Sequence, residues 1–371
     1  MNLTVPFDPP AGQQAGWQIF DSRSGLFLIE GPWGAGGQIQ VSVPDTDGDY
    51  RVFVSSIDPD HGWGYERGER FLLLDVAVRS GRMEVRKQQT TMRALRLAML
   101  PRQAVQLLVE PWQMLWRNRS LIASMVKRDI RGRYRGSFGN MAWTVLNPLL
   151  LMLTYFFVFG VVLQTRFPGS SGQSGYVLYF LAGMLPWLAF SEAIGRAPGV
   201  VLDHRNFVKK LVFPVEILPV NLVLSGLLTS GLALIIFFFF LMATRESLPW
   251  TALWLPVYVV PQVLLTMGVA WLFAAIAVYL RDLLQVNGFL LTLLFFLTPI
   301  CYPQNALPEW AWRVLQRNPI YKIVYGYRLL LLEGSPPAWQ EVARVWAYAI
   351  IIFFLGYAVF RKLRRGFVDV M

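Results

Sequence analysis

One cysteine, Cys301, and two histidines, His61 and His204, occur in 371 residues. That excludes an intrachain disulfide and any cysteine metal cluster, and the two imidazoles sit in different regions of the chain. Charge is scarce as well. Asp, Glu, Lys and Arg make up 15% of the residues, against about 25% in a soluble domain. No Gly-x4-Gly-Lys-Ser/Thr phosphate loop occurs, and no His-Glu-x-x-His or Gly-x-Ser-x-Gly. The first ten residues lack a basic segment followed by an apolar one, so they are not a cleaved signal peptide and residues 1–90 are expected to stay on the side of synthesis.

Apolar residues dominate instead, at 55% with a mean hydropathy of +0.43. Long apolar runs fill 141–163, 176–197, 214–243, 251–280, 284–302 and 342–360. A hydrocarbon core about 30 Å thick needs roughly 20 such residues per helix, which predicts six membrane spans. Buried helices of a soluble protein would show a polar face, and runs such as Phe237–Phe240 have none. Away from the ends of the spans there is almost no acid or base except Glu192. A proton- or sodium-coupled carrier would carry more, so any uphill transport needs energy from a partner. No internal repeat points to an inverted-repeat carrier.

The net charge of +11 would suggest nucleic acid in a soluble protein. Here the cations cluster at span ends, so anionic headgroups account for them and no nucleic-acid partner is expected. Arg117, Arg119, Lys127, Arg128, Arg131, Arg133 and Arg135 precede the first span. Arg205, Lys209 and Lys210 follow the second, Arg281 the fourth, and Arg361, Lys362, Arg364 and Arg365 the sixth. The opposite loops hold fewer. The positive-inside rule then places both termini in the cytoplasm of a multi-pass inner (plasma) membrane protein.

Residues 1–90 differ in kind. Strand-like runs at 17–20, 25–30, 38–43, 50–57, 71–78 and 82–86 alternate with turn-formers. They predict a small cytoplasmic all-β domain, a sandwich or open barrel. Asp45-Thr46-Asp47-Gly48-Asp49 is read as a hairpin turn, because an EF-hand loop would need Gly and Glu where this segment has others. Trp17, Trp33, Trp63 and Tyr65 are expected in its core, with a sugar-stacking platform as the other reading.

Residues 91–111 read as linker helices broken at Pro101. From 112 to 140 comes a basic amphipathic helix and the approach to the first span, with Leu115, Leu121, Ile122, Met125, Val126 and Ile130 on one face. Such a helix lies in the membrane interface. Residues 141–371 form the transmembrane domain. Between its last two spans, short helices at 310–315 and 321–332 cannot cross alone, and read as an outer re-entrant or interfacial hairpin.

Five fragments in order carry a resemblance. They are Lys127–Tyr134 with Ser137-Phe138-Gly139, Trp143 and Asn147-Pro148-Leu149; Asn206–Pro214 with Glu216-Ile217-Leu218-Pro219; Arg281-Asp282-Leu283; Leu297-Thr298-Pro299-Ile300 with Tyr302-Pro303; and Asn318-Pro319-Ile320-Tyr321 with Gly326-Tyr327-Arg328. Over about residues 112–371 the chain resembles the permease subunits of ABC transporters that export polysaccharides, the O-antigen, teichoic acid and capsule exporters. Phe138-Gly139 stands where that family often has Leu-Gly, and the resemblance does not reach residues 1–90.

The resemblance implies a homodimer joined to two nucleotide-binding subunits. ATP and Mg would bind those partners and no cofactor would bind this chain. Arg205, Asn206, Phe207, Lys209 and Lys210 would couple to the ATPase, a charged, aromatic-bearing loop suited to a protein groove. Arg128, Asp129, Arg133, Tyr134 and Arg135 would anchor the interface helix and shape the cytoplasmic entrance. Arg133 and Arg135 could equally attract the pyrophosphate of a lipid-linked glycan or lipid headgroups. Trp143, Tyr155, Phe159, Trp187 and Phe190, with Tyr134, are candidates for the translocation path, since aromatic rings pack on sugar C–H faces. No catalytic or metal-binding residue is expected. Two other functions stay open: export of a drug or small lipid by the same machinery, and a membrane-embedded glycosyl- or phosphotransferase. The transferase would want an Asp-x-Asp near the membrane, whereas Asp45/Asp47, Asp47/Asp49 and Asp58/Asp60 all lie in the β domain.

Overall fold

A computed structural model describes residues 1–10, 13–22, 25–31, 34, 37–58, 62–133, 142–162, 174–205, 213–245, 248–302 and 307–370. The chain divides into two compact units, Met1–Gln106 and Leu107–Met371.

The first unit is built on strands β1 (Asn2–Phe7), β2 (Gln14–Asp21), β3 (Phe27–Glu30), β4 (Gly37–Ser42), β5 (Gly48–Asp58), β6 (Gly62–Trp63), β7 (Phe71–Arg79) and β8 (Arg82–Thr90). A six-stranded antiparallel sheet runs β3-β2-β5-β7-β8, with β6 paired to β5, and β1 pairs with β4 in a second sheet. Alternation sorts the side chains between two faces. Val52, Val54, Leu72, Leu74, Val76 and Val78 pack with Val5 and Val41 of the small sheet, which makes a two-layer sandwich. Phe53, Ile57, Phe71 and Leu73 face the other way and meet Trp63 and Tyr65. Trp17, Trp63 and Tyr65 are buried, so they serve as core and not as a stacking platform; Trp33 lies outside the described residues. The expected hairpin turn is instead a bend at residues 45–47 that carries the chain from β4 in the small sheet to β5 in the large one, and the Ser80 amide donates to Asp47 Oδ1 at 2.8 Å.

Two strands were not foreseen. β1 holds Pro6, which forfeits a donor, yet a two-stranded edge ribbon tolerates the loss. β6 is only two residues long.

Helices follow. α1 (Met92–Arg117) runs unbroken past Pro101, where a break was expected, because proline removes one ladder bond while turns on either side continue. The expected continuous helix from Trp112 is instead divided at Asn118, whose side chain donates to the Met114 carbonyl at 2.8 Å. α2 (Arg119–Arg133) follows and buries Ile122, Met125 and Val126 from the predicted apolar face. α3 (Ala142–Tyr155) contains Pro148 and continues as a π-helical turn, Phe156–Val162. Then come α4 (Ser174–Asp203), α5 (Ile217–Arg245), a 3-10 turn at Trp250–Trp254, α6 (Pro256–Tyr279), α7 (Leu283–Phe296), α8 (Glu309–Leu315), α9 (Pro319–Arg328) with a π turn to Glu333, α10 (Trp339–Arg364) and α11 (Phe367–Val370).

Among the described residues, four helical segments are long and apolar enough to cross a membrane: Gly175–Asp203, Ile217–Thr244, Trp250–Tyr279 and Trp339–Arg364. Two shorter apolar helices, Val145–Val158 and Leu283–Phe296, fall below that length. α7 stops early for a local reason. Thr298 precedes Pro299, and a residue before proline is pushed out of the helical region. α4 is the central helix and packs against α5, α6, α7 and α9. Its apolar window is 78% buried, against 33% for α5 and α10, which leave broad apolar faces uncovered.

Candidate functional site

The sequence places a carboxylate and a guanidinium one turn apart on α2, Asp129 and Arg133, and the fold carries both against α4. Arg133 donates to Asp129 Oδ2 from Nε at 3.2 Å and Nη2 at 2.9 Å. Across the helix boundary Arg196 clasps the same carboxylate with two bonds, Nη2 to Oδ1 at 2.6 Å and Nη1 to Oδ2 at 3.0 Å. Arg133 also pairs with Glu192, one turn before Arg196 on α4. Its Nη1 lies 3.4 Å from Thr229 Oγ1 on α5. Two guanidiniums and two carboxylates thus form a neutral clamp that ties α2 to the central helix α4. Burial alone would raise the pKa of Asp129, but the bonds from Arg196 and Arg133 outweigh it and hold the carboxyl down to about 2.

A cleft of about 850 Å³ opens beside the clamp. Arg133, Glu192 and Arg196 form its charged end, Ser191, Thr229 and Asn147 add polar groups, and Leu150, Leu151 and Leu188 make its apolar wall. The walls therefore come from α2, α3, α4 and α5. A second cleft of about 570 Å³ lies on the other side of the clamp, with Arg128, Asp203, His204 and Asn221 on its lining. Hydroxyls and fixed ion pairs facing apolar helices suit an amphiphilic or polyhydroxylated ligand better than a purely apolar one.

The predicted residues divide. Asp129 and Arg133 pair α2 with α4, and Arg128 is exposed on the second cleft. Arg133 is occupied by two carboxylates. Arg205 is exposed just beyond α4. Tyr134, Arg135, Asn206, Phe207, Lys209 and Lys210 lie outside the described residues. Trp143 is half-buried on α3; Tyr155 ends that helix and Phe159 sits in the π turn after it. Trp187 and Phe190 are buried in the bundle, where Trp187 meets Phe190 and Phe295 at ring distances of 5.9 and 5.4 Å. Sequence reasoning passed over Arg196. Its spacing of four from Glu192 on one helix was the available signal.

A second buried polar center was also missed. Arg328, 2% exposed, donates to the carbonyls of Tyr179, Pro299 and Ile300 at 3.1, 2.7 and 2.7 Å. Its guanidinium lies 3.5 Å from the Tyr179 ring center. That joins α9 to the start of α4 and to the segment after α7.

Residues 120–332 match the profile of a family described as ABC-2 type transporter. The O-antigen export system permease protein RfbA of Myxococcus xanthus is 31% identical over 257 residues, 69% of this chain and 96% of that protein. Its namesake in Klebsiella pneumoniae is 28% identical over 68% of this chain and 95% of the relative. The polysialic acid transport protein KpsM of Escherichia coli is 21% identical over 65% and 92%. The β unit lies outside the matched family region.

Proposed function

The chain belongs to the ABC-2 type transporter family, and from that premise we propose that it is the permease of an ATP-driven exporter of a lipid-linked polysaccharide of the O-antigen class. The names of its relatives favor that cargo over a drug or a small lipid. In this reading the four long helices and the two shorter ones make six spans in the inner membrane, with both termini cytoplasmic and α8 and α9 forming a re-entrant hairpin on the outer side. Two copies join two nucleotide-binding subunits, which hold ATP and Mg. The loop at 203–213, with Arg205, Asn206, Phe207, Lys209 and Lys210, docks on those subunits. α2 transmits the motion through the clamp to α4, and the glycan passes along the first span, with Trp143, Tyr155 and Phe159 on its path. Trp187 and Phe190 support that wall from within the bundle. The β unit binds a protein or the glycan.

The observation that carries the reading is the polar cleft of about 850 Å³ between spanning helices, bounded by an interface helix held through an ion-pair clamp. A polysaccharide needs hydroxyl partners and a smooth apolar surface together, and the cleft offers both. The test is co-purification of the tagged chain with the ATPase subunit its host makes, followed by vanadate-sensitive ATP turnover. A stoichiometric complex whose turnover is lost when residues 207–210 become alanine supports both the exporter and its coupling loop. A chain that purifies with no ATPase sinks the proposal.

A further inference from the structure

A groove on the far face of α2 has no part in the clamp. It measures about 790 Å³, within the roughly 300–1,000 Å³ of ligand sites. Its floor is apolar: Ile122, Val126 and Ile130 from α2 face Leu224, Leu227 and Leu228 of α5, with Met267 of α6 beneath. Arg119, Lys127 and Arg131 stand along the same groove. These residues obey helical arithmetic. Arg119, Ala123, Lys127 and Arg131 fall at successive intervals of four and form one ridge; Ile122, Val126 and Ile130 form the ridge beside it. A row of cations therefore runs parallel to a row of hydrocarbon.

The charges are unbalanced. No carboxylate lines the groove, and like charges four residues apart, as at Lys127 and Arg131, repel. All three cations are exposed. Arg119 stacks over the Trp116 ring at 4.8 Å and donates to the Trp116 carbonyl at 3.2 Å, which fixes the head of the row and leaves most of its donors free. The clamp on the opposite side of α2 has matched its arginines with acids; this row has not.

We propose that the groove is a binding site for one anionic phospholipid of the surrounding bilayer, its phosphate on Lys127 and Arg131, with Arg119 adding positive charge about 12 Å farther along the ridge, and an acyl chain along the Ile122–Ile130 and Leu224–Leu228 floor. The occupant follows from charge complementarity on one ridge and apolar complementarity on the next, the pattern by which basic amphipathic helices hold anionic lipid. A bound lipid would wedge α2 against α5 and set the resting position of the helix that also carries the clamp. The proposal needs only that the helices lie in a bilayer and does not depend on the cargo.

The full chain in detergent is titrated with phosphatidylglycerol, phosphatidylcholine, inorganic phosphate and a polyprenyl phosphate, and bound lipid is counted by native mass spectrometry. Each cation near an anionic surface contributes roughly a fivefold factor, so phosphatidylglycerol should bind up to about a hundredfold tighter than phosphatidylcholine. The triple variant Arg119→Gln/Lys127→Gln/Arg131→Gln should bring the two lipids within a few-fold. Ala123→Trp, which keeps every charge and fills the groove, should weaken phosphatidylglycerol as well. Equal binding of the two lipids by the natural chain overturns the proposal without any variant. So does unchanged preference in the triple variant, displacement by inorganic phosphate, or preferential capture of the polyprenyl phosphate, which would assign the groove to cargo. None of these outcomes alters the ATPase co-purification result.

Discussion

Asp129 receives four hydrogen bonds from two arginines while mostly removed from water. Its carboxyl, held near 2 against an ordinary 3.8, is ionised more readily in the folded chain than in the unfolded one. The clamp's contribution is therefore complete above about pH 4 and is lost as pH falls through about 2; the displacement corresponds to about 2 kcal/mol. Replacing Asp129 with Asn should lower stability at pH 7 by a similar amount, since Arg196 then loses its carboxylate and Arg133 keeps only Glu192. It should also flatten the dependence of the melting midpoint on pH between about 4 and 2. Thermal melts of both proteins in detergent across that range check this, and parallel pH curves would count against it. Arg328 presents a different problem, a buried cation met by three carbonyls and an aromatic face. Arg328→Lys keeps the charge but has one nitrogen to offer where three divergent donors are used. Orphaned buried acceptors cost about 1–3 kcal/mol each, so the variant should lose about 2–4 kcal/mol, read as reduced yield and a lower melting midpoint. A lysine variant as stable as the natural chain would show that the three carbonyls find other donors.

Helices α6 and α10 approach so closely at Gly268 and Gly356 that no side chain fits between their backbones there. A Cβ on Gly356 would lie 2.0 Å from the Gly268 carbonyl oxygen, and one on Gly268 would lie 2.3 Å from that of Ile352. Both obstacles are backbone and cannot swing aside. Gly356→Ala should force the pair apart and cost about 1–3 kcal/mol, as overpacking does. Gly231→Ala on α5, where a Cβ would meet nothing within 4 Å, should instead be neutral or stabilising by up to about 1 kcal/mol from helix propensity. Melting both variants beside the natural chain separates close approach from a general intolerance of glycine replacement. At this scale periodicity told much. The spacing of three and four from Leu115 to Ile130 foretold the buried Ile122, Met125 and Val126, and alternation foretold Val41 inward between exposed neighbors. The partners across the clamp were not legible, because Asp129 and Arg196 are 67 residues apart in sequence and only packing brings them together. The three carbonyls of Arg328 were hidden for the same reason. Local pattern also overestimated α7, whose apolar run continues past Pro299, the proline that ends the helix.

The molecule joins two units with different sources of stability. The β unit buries two apolar clusters of its own, one on each face of its main sheet, and needs no contribution from the helical unit for either. The family match begins at residue 120, and the relatives are covered almost end to end by about two-thirds of this chain. The helical unit is in turn organised around α4, with its core cluster drawn wholly from residue 114 onward. Removing residues 1–90 leaves α1 and everything after it intact. The shortened chain should insert in membrane, keep the melting behavior of the helical unit and still purify with an ATPase subunit. Residues 1–91 expressed alone should melt in one cooperative step, followed by near-ultraviolet circular dichroism, because Trp17, Trp63 and Tyr65 sit in fixed, asymmetric surroundings. If the shortened chain lost the ATPase while the isolated unit folded, the β unit would be part of the docking surface, and its role would shift from a glycan toward the partner subunit.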